Sequence, residues 1–90
     1  MLMIRPTKQY RKDLKLAKKR GLDLKKLDEV TEKIAKNQKL EDKHKDHQLS
    51  GNYVGIRECH IEPDWLLFYT YDSQNLYLFL FRTGTHSDLF

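Results

Sequence analysis

Trp65-Leu66-Leu67-Phe68-Tyr69-Thr70-Tyr71, then Asp72-Ser73-Gln74-Asn75, then Leu76-Tyr77-Leu78-Phe79-Leu80-Phe81-Arg82-Thr83, is the stretch that decides the fold. Two apolar runs of strand length flank four residues of turn composition. Both runs are apolar on both parities. Leu66 and Phe68 alternate with Trp65, Leu67 and Tyr69, and Leu78 and Leu80 with Tyr77, Phe79 and Phe81. Strands of that kind belong in the centre of a sheet, because both of their faces must be covered. The pattern predicts helices on one face and a covered or ligand-binding surface on the other.

Working outward, Tyr53 to Ile61 reads as the preceding strand, stopped by Pro63, and Leu2 to Arg5 as a short edge strand before Pro6. Thr7 is placed to N-cap a helix running to about Arg20, with Tyr10, Leu14 and Ala17 as its buried stripe. Gly21 closes that helix and Asp23 caps a second, striped by Leu27, Val30 and Ile34. Glu29–Lys33 and Glu32–Lys36 stand at i, i+4 on its surface. Two helices joined by a tight turn form an antiparallel hairpin laid on the sheet. Asn37 to Gly51 is charged and lacks periodicity, so it reads as a long loop, and such loops are often functional. Gly84 breaks the last strand and leaves Thr85 to Phe90 as a short tail. The expected architecture is one α+β domain over residues 1–90, β-αα-βββ, with a mostly antiparallel sheet.

A chain of 90 residues buries only somewhat over ~60% of its unfolded surface, so a partner chain is a natural source of added stability. The lone Cys59 excludes an intramolecular disulfide framework and a CxxC metal site, and suits a reducing compartment. Met1 to Ile4 is too short for a signal h-region, and no run approaches the ~20 residues of a membrane span. The expectation is a soluble cytoplasmic protein with no membrane partner. The net charge of +4 is uneven: residues 1–26 hold ten basic side chains against Asp13 and Asp23, and the rest holds seven basic against eleven acidic. A basic half suits a polyanion or an acidic partner, although a solvated lysine-rich helix gives the same count.

His60-Ile61-Glu62-Pro63-Asp64-Trp65 puts an imidazole, a carboxylate and an indole at one turn, with His47 and His86 at the edges of neighbouring elements. Cleaving RNA without metal requires a base for the ribose 2′-OH, an acid for the leaving 5′-oxygen, and donors or cations on the phosphorane. Imidazole, with a reference pKa of about 6.5, serves as either acid or base near neutral pH. A carboxylate fixes its tautomer, and arginine stabilises charge on phosphate. An exposed Trp or Phe offers a stacking face to an unpaired base. The chain holds the whole set: His47, His60, Asp64, Trp65, Arg82, His86 and Phe90. Each has a plainer use: Trp65 as core, Asp64 as a turn residue, Arg82 as the partner of Asp64 or Glu58, Phe90 as a plug over the sheet. His44, with no motif around it, reads as a surface residue.

Lys45-Asp46-His47-x-Leu49-x-Gly51, Arg57-Glu58-x-His60-Ile61-Glu62-Pro63-Asp64-Trp65 and Arg82-Thr83-Gly84-Thr85-His86-x-x-Leu89-Phe90 together resemble the YafQ branch of the RelE/ParE toxin superfamily. The resemblance covers the whole chain and is most specific from Lys45 onward. It implies a RelE-like fold and a cytoplasmic type II toxin, an endoribonuclease (mRNA interferase) that cuts mRNA in the ribosomal A site and is silenced by a co-expressed antitoxin. Position by position it implies catalytic roles for His47, His60 and His86, the last as the principal proton-transfer residue, an acidic role for Asp64, and aromatic contacts by Trp65 and Phe90. No metal or cofactor is implied. Gln48, where a proline is usual, and Asn52-Tyr53-Val54 depart from the pattern outside the catalytic positions. Two rival readings are a metal-dependent nuclease using the same His and Asp residues as ligands, and a non-enzymatic ParE-like toxin or nucleic-acid-binding regulator.

Overall fold

The two apolar runs form the centre of the sheet. The computed structural model describes residues 1–90, with strands β1 (Met3–Pro6), β2 (His47–Gln48), β3 (Arg57–Glu62), β4 (Trp65–Asp72) and β5 (Tyr77–Gly84), and helices α1 (Lys8–Lys19), α2 (Leu24–Ala35) and α3 (His86–Leu89). The strand order is β1-β5-β4-β3-β2, with β1 parallel to β5 and the other pairings antiparallel. No helix is long and apolar enough to cross a membrane.

The helix ends follow from local chemistry. Thr7 is extended, and its Oγ1 accepts the Tyr10 N–H at 3.0 Å while donating to the Phe81 carbonyl at 2.9 Å, so one side chain caps α1 and ties it to β5. At the other end Gly21 has φ +76°, and the N–H groups of Gly21 and Leu22 return to the carbonyls of Lys18 and Ala17, which is a Schellman closure. Asp23 caps α2 through the Lys25 N–H. Asn37, at φ 58°, closes it with the same paired bonds, from Asn37 to Ile34 and from Gln38 to Lys33.

The helix hairpin covers one sheet face. Tyr10 and Leu14 of α1 and Leu27, Val30, Ile34 and Ala35 of α2 pack on Cys59, Ile61, Trp65, Leu67, Tyr69, Leu78 and Leu80. On the opposite face Leu66, Phe68 and Leu89 form a smaller cluster, flanked by Leu49, Tyr53, Ile56 and Phe81. The second face is therefore half covered, by the segment before β3 and by α3.

Four expectations about the elements are corrected. Residues 37–51 are not one loop: Asp42–His44 makes a single 3-10 turn and His47–Gln48 pairs with β3 as a fifth strand. The strand before Pro63 starts at Arg57 rather than Tyr53, because Gly51–Tyr53 curls into another 3-10 turn. The tail after Gly84 is helical, since Thr85 and Asp88 form a reciprocal capping box. Glu32–Lys36 pairs at 2.8 Å as expected, but Lys33 reaches Glu41 at 3.9 Å and not Glu29.

Candidate active site

Sheet register assembles the site on the second face. His47 stands opposite Glu58, Glu58 opposite Phe68, and Phe68 opposite Arg82; one row along, His60 is opposite Leu66, and Leu66 opposite Gly84. His86 follows two residues after Gly84 as the first residue of α3. Three histidines distant in sequence thus reach one region above the small apolar cluster.

The bonds within this region fix the rings. Glu58 is buried, and its Oε1 lies 3.1 Å from His60 Nε2 and 3.6 Å from His47 Nε2. Asp64 Oδ1 accepts both the His86 backbone N–H at 2.9 Å and the imidazole Nδ1 at 2.5 Å. The rings of His60 and His86 stand edge to face with centroids 5.7 Å apart. A carboxylate accepts only, so His60 carries its proton on Nε2 and His86 on Nδ1, and the opposite nitrogen of each ring makes no bond within the chain. His47 donates Nδ1–H to the Lys45 carbonyl at 2.6 Å, which turns Nε2 toward Glu58. The His86 backbone N–H, and then its imidazole, hold the Asp64 carboxyl below its ordinary value.

Neighbouring contacts hold these groups in place. Asp46, just before His47, takes both the Tyr69 hydroxyl at 2.5 Å and the Arg57 guanidinium at 3.1 Å, which anchors the start of β2. Burial first, and then that carboxylate, drive the Tyr69 hydroxyl far above its usual range. Phe90 is 61% exposed, lies 6.5 Å from the His86 ring in a near-parallel stack, and rests edgewise on Tyr53 and Phe68. It is an aromatic face open to solvent at the edge of the histidine cluster.

Three expected placements change. Trp65 is only 2% exposed and lies in the large core, with its indole N–H donated to Thr83 Oγ1 at 2.9 Å, so it offers no stacking face. The odd residues of β4 face the helices, which is why Trp65 points away from His60. Arg82 does lie in the histidine row, but it pairs with Asp13 of α1 (Nε–Oδ2 2.9 Å, Nη2–Oδ1 3.2 Å) and with neither Asp64 nor Glu58. His44 is buried, not superficial, and its Nδ1 donates to the His60 carbonyl at 2.6 Å, bracing β3 from behind. Glu58 joins the histidine cluster although the motif reading does not place it among the candidate residues. Its signal was simple: two residues before His60 on one strand, it had to share that histidine's face. Asp13 gave no such signal, because its pairing spans 69 positions.

Fold and site together define a class: small α+β domains with a cluster of histidines and carboxylates on the less covered face of the sheet. A family model described as the bacterial toxin of a type II toxin–antitoxin system, YafQ, matches residues 2–90. The chain belongs to the YafQ family of type II toxins. It is 43% identical over 83 residues to the mRNA interferase toxin YafQ of Escherichia coli K12, a match covering 91% of this chain and 88% of that protein. A metal-bound toxin from Helicobacter pylori, known from its crystal structure, is 48% identical over the whole of both chains with a TM-score of 0.94. The E. coli DinJ–YafQ toxin–antitoxin complex contains a chain that is 40% identical, with a TM-score of 0.88 and coverage of 99% of this chain and 97% of that one. In the present chain no three His, Cys, Asp or Glu side chains are arranged to hold a metal ion.

Proposed function

We propose that this chain is an mRNA-cleaving toxin that acts on translating ribosomes in the cytoplasm, by histidine acid–base chemistry that requires no metal, and is neutralised by an antitoxin. The observation that carries the reading is the pair His60 and His86, 5.7 Å apart, each tied through one ring nitrogen to its own carboxylate. One imidazole accepts the proton of the ribose 2′-OH as that oxygen attacks phosphorus. The other delivers a proton to the departing 5′-oxygen, so the products are a 2′,3′-cyclic phosphate and a 5′-hydroxyl. His86 takes the principal proton-transfer role, because it is the more open of the two and lies beside the exposed Phe90. His47 and Arg82 stand in the adjacent row, where the Arg82 N–H groups not taken by Asp13 donate to the negative charge gathering on phosphate. Phe90 stacks on a base beside the scissile bond.

The K12 relative is named an mRNA interferase, and E. coli YafQ is known in a toxin–antitoxin complex with DinJ; both support the reading. The metal-bound relative favours a second, metal-dependent reading. Primer extension on a translated message, with and without 70S ribosomes and with and without chelator, separates these. Cleavage that depends on ribosomes and survives chelator is expected from the wild type. His86→Ala is expected to abolish cutting and toxicity while still binding antitoxin. Cutting by purified His86→Ala on ribosomes overturns the role assignment, and loss of wild-type cutting in chelator overturns the metal-free chemistry.

A further inference from the structure

Resting on the RNA-cleaving reading, the geometry points to Arg20 and Asp88 as a positioning pair that holds α3, and with it His86 and Phe90, in place against His60. A helix of four residues does not hold itself, so the placement of α3 depends on its anchors. Beneath the helix Leu89 is buried against Leu66 and Phe68, and on the side of His86 the anchor is Asp64. On the other side it is Arg20, the residue that ends α1. Its guanidinium meets the Asp88 carboxylate with two bonds, Nη1–Oδ2 at 2.6 Å and Nη2–Oδ1 at 3.2 Å, across 68 positions of sequence.

Asp88 is itself fixed. Its Oδ2 accepts the Thr85 backbone N–H at 2.9 Å, and Thr85 Oγ1 accepts the Asp88 N–H at 3.1 Å. It also packs on Gly84, where an added Cβ would lie 2.8 Å from Oδ2 and 3.0 Å from the Asp88 Cβ. Strand end, cap and cation therefore meet on one carboxylate. Arg20 is the only cation of the basic N-terminal helix that reaches this segment through a two-pronged bond, and Asp88 is the only acid in α3. An ion pair this exposed adds little to global stability. Its consequence falls on where the imidazole of His86 sits, and a misplacement of ~1 Å can cost a factor of up to about 100 in rate.

The test compares wild type, Arg20→Gln, Arg20→Lys, Asp88→Asn and the Arg20→Gln/Asp88→Asn double variant on translated message, resolving kcat from KM. NMR of the histidine side chains and thermal melting accompany the kinetics. Each removal is expected to lower kcat about tenfold with KM within about twofold, Arg20→Lys to recover part of the loss, and the double variant to be no slower than the slower single. The His86 imidazole resonances should move while those of His47 stay, with Tm almost unchanged. A rise in KM alone for Arg20→Gln makes Arg20 a direct RNA contact and overturns the pairing, as do multiplying losses or full activity in Asp88→Asn. If Asp88→Asn fails to fold, Arg20→Gln and Arg20→Lys, which leave the capping box intact, carry the test. If the wild type cuts nothing, the RNA-cleaving reading is wrong, and unmoved His86 resonances in Arg20→Gln would separately overturn the pair.

Discussion

Single side chains here divide by face more than by type. Trp65 and Phe90 are both candidates for stacking on RNA by residue type, and the strand parity of β4 sends one into the core while α3 leaves the other 61% exposed. Trp65→Phe removes the indole bond to Thr83 and some volume, so it is expected to cost about 2 kcal/mol by urea denaturation, with cleavage by the folded protein within about twofold. A large loss of cleavage in stable Trp65→Phe protein would return the indole to the substrate site. Asp64 supports a pH prediction. Its carboxyl is depressed below the ordinary 3.8 by the His86 backbone N–H first and the imidazole second. A carboxylate held low in the folded state stabilises it above the unfolded value and stops doing so as pH falls through the folded value. The stability advantage of wild type over Asp64→Asn is therefore expected to be complete at pH 7, to shrink below pH 3.8, and to vanish in stronger acid. An advantage that persists unchanged into strong acid would mean the carboxylate is not acting through its charge.

Elements owe their ends to caps and their exact register to bulges. The Schellman closure at Gly21 needs φ +76°, where a Cβ is strained although nothing lies within 4 Å of it. Gly21→Ala is expected to destabilise the protein by about 1 kcal/mol without moving the site, read as a lower urea midpoint at constant m. No change in midpoint would show that the turn relaxes freely. Thr7, Gly21 and Asp23 were legible as caps because capping is a local contest between one side chain and the next turn's N–H groups. The bulge in β5 was not legible. Its register shift leaves Phe81 unpaired between Leu80 and Arg82, so Leu78, Leu80 and Thr83 face the helices while Arg82 turns to the histidines. Strict alternation would have buried the guanidinium of Arg82 beside Leu80. The helical tail was likewise missed, since four residues carry no periodicity and only the Thr85–Asp88 box and Arg20 define them.

At the scale of the molecule, charge and topology work together. The basic helix α1 offers Lys12, Lys15 and Lys18 to solvent, while its Asp13 turns inward to Arg82 and Arg20, at its C-terminal cap, reaches across the surface to Asp88. Replacing Lys12, Lys15 and Lys18 by Gln is expected to flatten the salt dependence of RNA binding, lowering the slope of log K against log salt by about 2. An unchanged slope would free this face for the antitoxin alone. The sequence by itself determined the α+β class, the helix hairpin and its caps, the central strands, and the identity of the three histidines, Asp64 and Phe90 as parts of one motif set. Those follow from periodicity and local hydrogen bonding, which act over a few residues, and from the resemblance that the linked motifs carry. Only the tertiary structure decided that Glu58 stands between His47 and His60, that Trp65 belongs to the core, that Asp13 holds Arg82, and that Arg20 reaches Asp88. Each of those depends on strand register, a bulge, or a contact between segments remote in sequence, and such pairings are set by how the whole chain packs.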